Sequence, residues 1–320
     1  MRRFIAEFEK QSFMQIIFPH KNTDWSEYLE EAQQNFVAII QTITKYQKCR
    51  VICANILETQ QHFRDTTNIE FIEYETDDTW ARDCSALSIE EDGAIKLLDF
   101  TFTGWGGKFE ATKDNLLTPT LYKEAIKCNF ILEGGGIETN GEGILLTTTQ
   151  CMLNPNRNNL TKEQTTQKLK EFFGAKEVLY LENGYLAGDD TDSHIDTLAR
   201  FIAKDTIMYI ECNDEKDEHF KALSAMKKEL EFFAKKYNFK LIALPMTPPI
   251  YYDNERLPAT YANFLFVNGA VLVPTYNVKT DEKALEIFKQ ALPHLDVIAI
   301  DCSVLIRQHG SLHCVTMNFA

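Results

Sequence analysis

The feature that most constrains this chain is a unit that recurs along it: two apolar strand-like runs joined by a tight turn, then an amphipathic helix, then one further strand. The unit is clearest near the C-terminus, where runs at 262–267 and 270–274 flank Asn268-Gly269, the strongest two-residue hairpin signal. Ala284, Leu285, Phe288 and Leu292 then fall on one helical face, and a strand at 297–300 follows. The same order appears at 197–203 and 206–211, with a helical stripe of Phe220, Leu223, Met226, Leu230 and Phe233 before a strand at 240–244. Runs at 137–140 and 143–148 precede a helix opened by the capping box Thr161-x-x-Gln164, and 177–181 closes that unit. The N-terminal stretch offers a strand at 14–18, a helix with Phe36, Ile39, Ile40 and Ile43 on one side, and a strand at 50–53. A hairpin at 85–89 and 94–100 begins a fifth, less regular unit.

Units that cannot each bury both faces predict one α/β domain over 1–320, built as a closed five-bladed α/β propeller. In such a ring the loops at the strand ends meet in a central channel, so groups distant in sequence converge there. A doubly wound parallel sheet is the competing architecture, and the hairpin signals between helices argue against it. No Pro/Gly/Ser linker or low-complexity tract divides the 320 residues.

The net charge of -14 repels phosphate backbones, which excludes nucleic acid as a natural partner and is compatible with a cationic small molecule. Glu7, Glu9 and Lys10 interrupt the early apolar stretch, so it does not read as a signal peptide, and no uncharged apolar run approaches the roughly 20 residues of a membrane helix. A cytoplasmic protein that does not engage membranes is expected, with self-association into a homo-oligomer left open. Eight cysteines, at 49, 53, 84, 128, 151, 212, 302 and 314, contain no CxxC pair and form neither a disulfide framework nor a zinc ribbon.

Four segments are too polar or too glycine-rich for the strands they interrupt: Trp80-Ala81-Arg82-Asp83, Glu133-Gly134-Gly135-Gly136, Asp192-Ser193-His194-Ile195-Asp196 and Gly310-Ser311-Leu312-His313-Cys314. In an extended chain the two-residue spacing of His194 and Asp196 places both side chains on one face. A metal site at His194 lacks two further ligands at suitable spacing. Glu133 and its glycines form either an ordinary turn or a backbone that must take positive φ or approach something closely. Asp83 beside Arg82 is otherwise a surface ion pair of little worth. Cys314, core filler by position, becomes a nucleophile only in the company of a histidine and a group that orients it.

These WxRD, EGGG, DxHxD and GxxHC segments resemble, in order and along almost the entire chain, the guanidino-group modifying superfamily, within it the bacterial agmatine deiminase and peptidylarginine deiminase family. Phe102-Thr103-Gly104-Trp105-Gly106-Gly107-Lys108 is similar to the family's FNAWGGK segment, and Tyr261-Ala262-Asn263-Phe264 with Val267-Asn268-Gly269-Ala270 to its YxNF…NGA hairpin. The resemblance implies the pentein fold, a five-bladed α/β propeller. It implies Cys314 as nucleophile, His194 as general acid and base, Asp83 and Asp196 as the carboxylates that clasp the guanidinium, and Glu133 as the group that orients the histidine. Asn263, Trp80 and Trp105 are expected beside the substrate, and Asp192 belongs to an acidic loop with Asp189 and Asp190 that suits a distal amine. The activity implied is hydrolysis of agmatine to N-carbamoylputrescine and ammonia, in putrescine and polyamine biosynthesis, without metal or organic cofactor. Free or peptidyl arginine is the alternative substrate, and a non-catalytic propeller that binds a partner is the alternative of another class. Ser193, Cys84-Ser85 and Ser311 depart from the family pattern without removing a reacting group.

Overall fold

A computed structural model describes residues 2–320 and resolves the repeating unit into five sheets of three or four strands, with a two-stranded ribbon at Tyr251–Tyr252 and Glu255–Arg256. Each of the five carries the same core: an antiparallel pair, then a helix that returns the chain to a parallel third strand. In one, Leu265–Val267 pairs with Ala270–Thr275, and Asp281–Ala291 leads to Asp296–Asp301. In another, Ala199–Ala203 pairs with Thr206–Glu211, and Phe220–Tyr237 leads to Lys240–Pro245. Ile137–Thr139, Ile144–Thr148, Lys162–Phe173 and Glu177–Leu181 form a third, and Leu87–Glu91, Ala94–Thr101, Thr112–Leu121 and Ile126–Ile131 a fourth.

The fifth unit joins the two ends of the chain. Thr316–Phe319 pairs antiparallel with Phe13–Ile17, which runs parallel to Lys48–Cys53 across the helix Leu29–Ile43. The sequence shows only part of this unit at the N-terminus because its hairpin partner lies some 300 residues away. Arg2–Phe4 and Ile69–Glu73, both absent from the sequence expectation, extend the edges of two sheets.

The helices form where the periodicity places them. Leu29–Ile43 buries Ala32, Phe36, Ile39, Ile40 and Ile43 along one stripe. Thr161 caps Lys162–Phe173, its hydroxyl accepting from the Gln164 amide while the Gln164 side chain accepts from the Thr161 amide. Gly174 ends that helix at φ 64°, and a Cβ there would strike the Arg2 carbonyl.

The segments singled out by polarity occupy one recurring place, just before the first strand of each unit. Asp83 precedes Leu87, Glu133 precedes Ile137, Asp196 precedes Ala199, Asn263 precedes Leu265 and Cys314 precedes Thr316, by two to four residues in every case. Three of these entries are short helical turns, Ala81–Cys84, Gly134–Gly136 and Ile195–Thr197, and the second packs against both others. The extended reading of His194 and Asp196 is thereby corrected: Asp196 lies in a 3-10 turn for which His194 is the N-terminal cap residue.

Candidate active site

Gly135 marks the point where the site closes. A Cβ on this residue would lie 2.7 Å from His194 Nδ1 and 3.0 Å from both Asp196 Oδ2 and Asp83 Oδ1. Gly134, Gly135 and Gly136 all have ordinary φ, so the three glycines serve close approach and not positive φ.

A cavity of about 230 Å³ opens beside this point. Asp83, Asp196 and Cys314 line it, Trp80 and Trp105 flank it, and Asp24, Asp78, Asp189 and Asp190 supply further carboxylates, with no Lys or Arg among the lining residues. Asp83 is buried, with Oδ1 accepting from the Gly135 amide at 2.9 Å and Oδ2 from Trp105 Nε1 at 2.9 Å. Burial raises its pKa, the His194 charge working against this and Asp196 adding to it. Asp196 Oδ2 meets His313 Nδ1 at 2.7 Å, while Oδ1 is buried without a hydrogen-bond partner. Burial pushes this carboxyl up, but the His313 contact outweighs it and leaves the pKa below the ordinary value.

Cys314 Sγ donates to Asn263 Oδ1 at 3.4 Å, and the same oxygen accepts from the His313 amide at 2.9 Å. Asn263 thus holds the loop that carries Cys314 and does not line the cavity. Burial, then Asp196 and Asp83, raise the Cys314 pKa well above that of a free thiol. His194 is buried, with Nδ1 3.7 Å from Asp83 Oδ1 and Nε2 3.7 Å from Glu133 Oε2. Burial opposes its charge, yet the acidic groups and Cys151 around it prevail, and its pKa lies well above the usual imidazole value. The Glu133 contact is a charge contact, since 3.7 Å exceeds a hydrogen bond. The hydrogen bond to Glu133 Oε2 comes from Arg157 Nε at 2.8 Å.

Two expectations are corrected. Asp192 does not line the cavity; its oxygens accept from Lys108 Nζ at 2.9 Å and Arg157 Nη1 at 2.8 Å. The acidic residues of that loop that do face it are Asp189 and Asp190. Arg82 and Asp83 are not a surface pair: Arg82 is buried and donates to Glu7 Oε2 at 3.0 Å and Asn318 Oδ1 at 2.9 Å.

Glu7 is the residue sequence reasoning missed most completely. Its Oε2 also meets His313 Nε2 at 2.6 Å, and its Oε1 accepts from the Phe266 amide at 2.9 Å and lies 3.0 Å from Arg200 Nη2. A buried chain therefore runs from Glu7 through His313 to Asp196. The only available signal was a charge interrupting an apolar stretch, which Glu9 and Lys10 share. Arg157 and Cys151 had none, because the loop of Arg157 and the short helix Thr149–Met152 that carries Cys151 contain no motif of their own. Two more donors for a metal at His194, not evident from spacing, are nonetheless present: Glu133 and Cys151 gather with it within 4.8 Å.

The departures from the family pattern are accommodated locally. Ser193 takes φ 61°, a region that favours glycine, and is held there by its amide on Asp189 Oδ2 at 2.6 Å and its hydroxyl on Gln150 Oε1 at 3.1 Å. Ser311 pairs with the Tyr276 hydroxyl at 2.8 Å, and Ser85 accepts from Gln15 Nε2 at 2.8 Å.

Among the described residues no helix is long and apolar enough to cross a membrane. A C. jejuni agmatine deiminase, solved as a cysteine-to-serine variant with substrate bound, is 45% identical over 100% of this chain and 96% of its own, with a TM-score of 0.96. The agmatine deiminase of Enterococcus faecalis is 25% identical over 99% and 95%, with a TM-score of 0.93. A Vibrio parahaemolyticus protein with the provisional name agmatine deiminase is 30% identical over 98% of this chain and 95% of its own length. These likenesses place the mixed α/β chain in the pentein fold. The profile of the Porphyromonas-type peptidyl-arginine deiminases matches residues 3–319, and the chain belongs to that family.

Proposed function

We propose that this protein hydrolyses the guanidinium of agmatine to N-carbamoylputrescine and ammonia through a covalent intermediate on Cys314. The observation that carries this reading is the cavity lining: a thiol and two carboxylates, Asp83 and Asp196, with four more aspartates and no Lys or Arg. A planar cation between two carboxylates is held in its plane by paired N–H bonds, which presents the carbon to the sulfur. Asp196 Oδ1, without a protein partner, supplies one acceptor. Arginine would bring its α-carboxylate among aspartates, whereas the primary amine of agmatine is attracted by them. The relatives named for agmatine deiminase activity support the same substrate.

The thiol is held protonated by burial and by the two aspartates, so the arriving cation offsets their charge and favours ionisation of Cys314 as substrate binds. Attack forms the S–C bond, and His194, kept charged between Asp83 and Glu133, gives its proton to departing ammonia. The neutral imidazole then takes a proton from the water that cleaves the thiouronium, and the thiolate leaves. His194 sits behind Gly135 and does not itself line the cavity, so it reaches the reacting nitrogen only with substrate in place.

The five sheets are read as blades of a propeller in a single catalytic domain over 1–320. One buried cluster runs from Met14 to Phe319, and the last strand pairs with an early one, which supports this. Eight free cysteines suit a reducing, cytoplasmic setting, and the product fits a place in putrescine biosynthesis. The deciding experiment compares ammonia release from agmatine, free arginine and an arginyl peptide. Cys314→Ser should abolish release while agmatine still binds; retained turnover in that variant, or preference for arginine, rejects the reading.

A further inference from the structure

On the side of His194 away from Asp83, three donor groups meet. Nε2 of His194 lies 3.7 Å from Glu133 Oε2, Cys151 Sγ lies 4.0 Å from the same oxygen, and the donor atoms of all three residues fall within 4.8 Å of one another. Among the described residues this is the one such cluster. His194 Nε2 and Glu133 Oε1 are both buried without a hydrogen-bond partner. Cys151 is buried in a short turn whose Thr148 hydroxyl donates to the Ser193 carbonyl, which ties its loop to that of His194.

We propose that Glu133, Cys151 and His194 form an inhibitory site for a thiophilic divalent cation of the zinc or cadmium class. Imidazole, thiolate and carboxylate are the donor types such ions take. Bonds of roughly 2.0–2.3 Å set tetrahedral ligand atoms about 3.3–3.8 Å apart, so the 3.7 and 4.0 Å spacings to Glu133 Oε2 need to contract by only tenths of an ångström, and a spacing at the 4.8 Å limit by about 1 Å. Arg157 Nε donates to Glu133 Oε2, Glu133 Oε1 has no hydrogen-bond partner, and the charge of Arg157 is answered by Asp192. One cation displaces two protons, from the Cys151 thiol and the His194 imidazole, so the buried charge is unchanged. Occupancy takes His194 out of acid and base work without touching Cys314; this consequence rests on the role proposed for His194, whereas binding does not.

The test is a Cd²⁺ titration of the full chain, following the ultraviolet sulfur-to-cadmium charge-transfer band. One saturable equivalent is expected in the parent and in Cys314→Ala, and its loss in Cys151→Ser and in His194→Asn. Thermal melting shows that each variant is folded, and either of the last two suffices if the other is not. A band that persists in the folded Cys151→Ser or His194→Asn chain, disappears in Cys314→Ala, or never saturates in the parent overturns the proposal. Zn²⁺ should displace the band and inhibit ammonia release reversibly, at least about tenfold less effectively in Cys151→Ser. A chain that binds Cd²⁺ but never turns over agmatine leaves the site standing and rejects the catalytic reading instead.

Discussion

Trp105 adopts φ 56° and ψ 47°, a left-handed conformation that costs a bulky residue on the order of 1–2 kcal/mol. Its indole N–H holds Asp83 Oδ2, so the strain accompanies a contact to the carboxylate proposed to clasp the substrate. Trp105→Phe should keep the fold and lower kcat/KM by roughly 10–100-fold, the worth of one hydrogen bond to a buried charge; an unchanged kcat/KM would show the contact to be idle. A second residue-level prediction concerns pH. Burial, with Asp24 and Asp114 nearby, raises Asp78 to about 8, and burial with Asp189 raises Asp190 to about 6. Both line the cavity and are neutral below those values, so rising pH adds negative charge where a cation must bind. KM for agmatine should therefore fall between about pH 6 and about pH 8, and Asp78→Asn should flatten the upper part of that fall; a KM that rises with pH over this window contradicts the assignment. Asp83, Asp196, His194 and Cys314 were legible because each stands in a polar segment interrupting apolar strands. The aspartates at 24 and 78 were not, since nothing local distinguishes a loop acid that faces a cavity from one that faces only solvent.

At the level of elements, the glycines explain what the short turns need. The 3-10 turn at Gly134–Gly136 fits only because it lacks side chains: Gly134 abuts the Arg82 carbonyl at 2.3 Å from its would-be Cβ, and Gly135 abuts His194, Asp196 and Asp83. Gly135→Ala should leave the melting temperature within a few degrees yet remove nearly all turnover, since the methyl occupies the space between His194, Asp83 and Asp196; substantial activity in that variant would show the turn to be slack. Hairpins and four of the five helices could be read from periodicity, with strand ends displaced by up to three residues, while the helix Thr112–Leu121 was not read. The entry turns could not, because Ile195–Thr197 is held by the Thr197 amide and hydroxyl on the His194 carbonyl, contacts that no two-residue alternation announces.

For the whole molecule, the decisive fact is that the ends of the chain are built into one another. Thr316–Phe319 completes the N-terminal sheet, and Glu7 binds Arg82, Arg200 and His313, which belong to different units. Burial pushes the Glu7 carboxyl up, but Arg200, His313 and Arg82 hold its pKa well below the usual value. A depressed carboxylate contributes stability above its unfolded pKa near about 4.3 and loses it as pH falls through the folded value. Glu7→Gln leaves two buried guanidinium groups less compensated and should cost about 3–5 kcal/mol at neutral pH, with part of the acid-dependent slope of stability lost. Equal urea midpoints for variant and parent at neutral pH would refute this. Deleting residues 316–320 removes buried Met317 and Phe319 and strips Phe13–Ile17 of its antiparallel partner. Large-to-small losses of about 2–5 kcal/mol at each of two core positions, together with the lost ladder, rival a total stability of about 5–15 kcal/mol. The truncated chain should therefore fail to fold cooperatively, and because the Cys314 loop hangs between Asn263 and that strand, no partial activity should survive; a truncated chain that melts cooperatively with an ordered site would show that the C-terminal strand is dispensable.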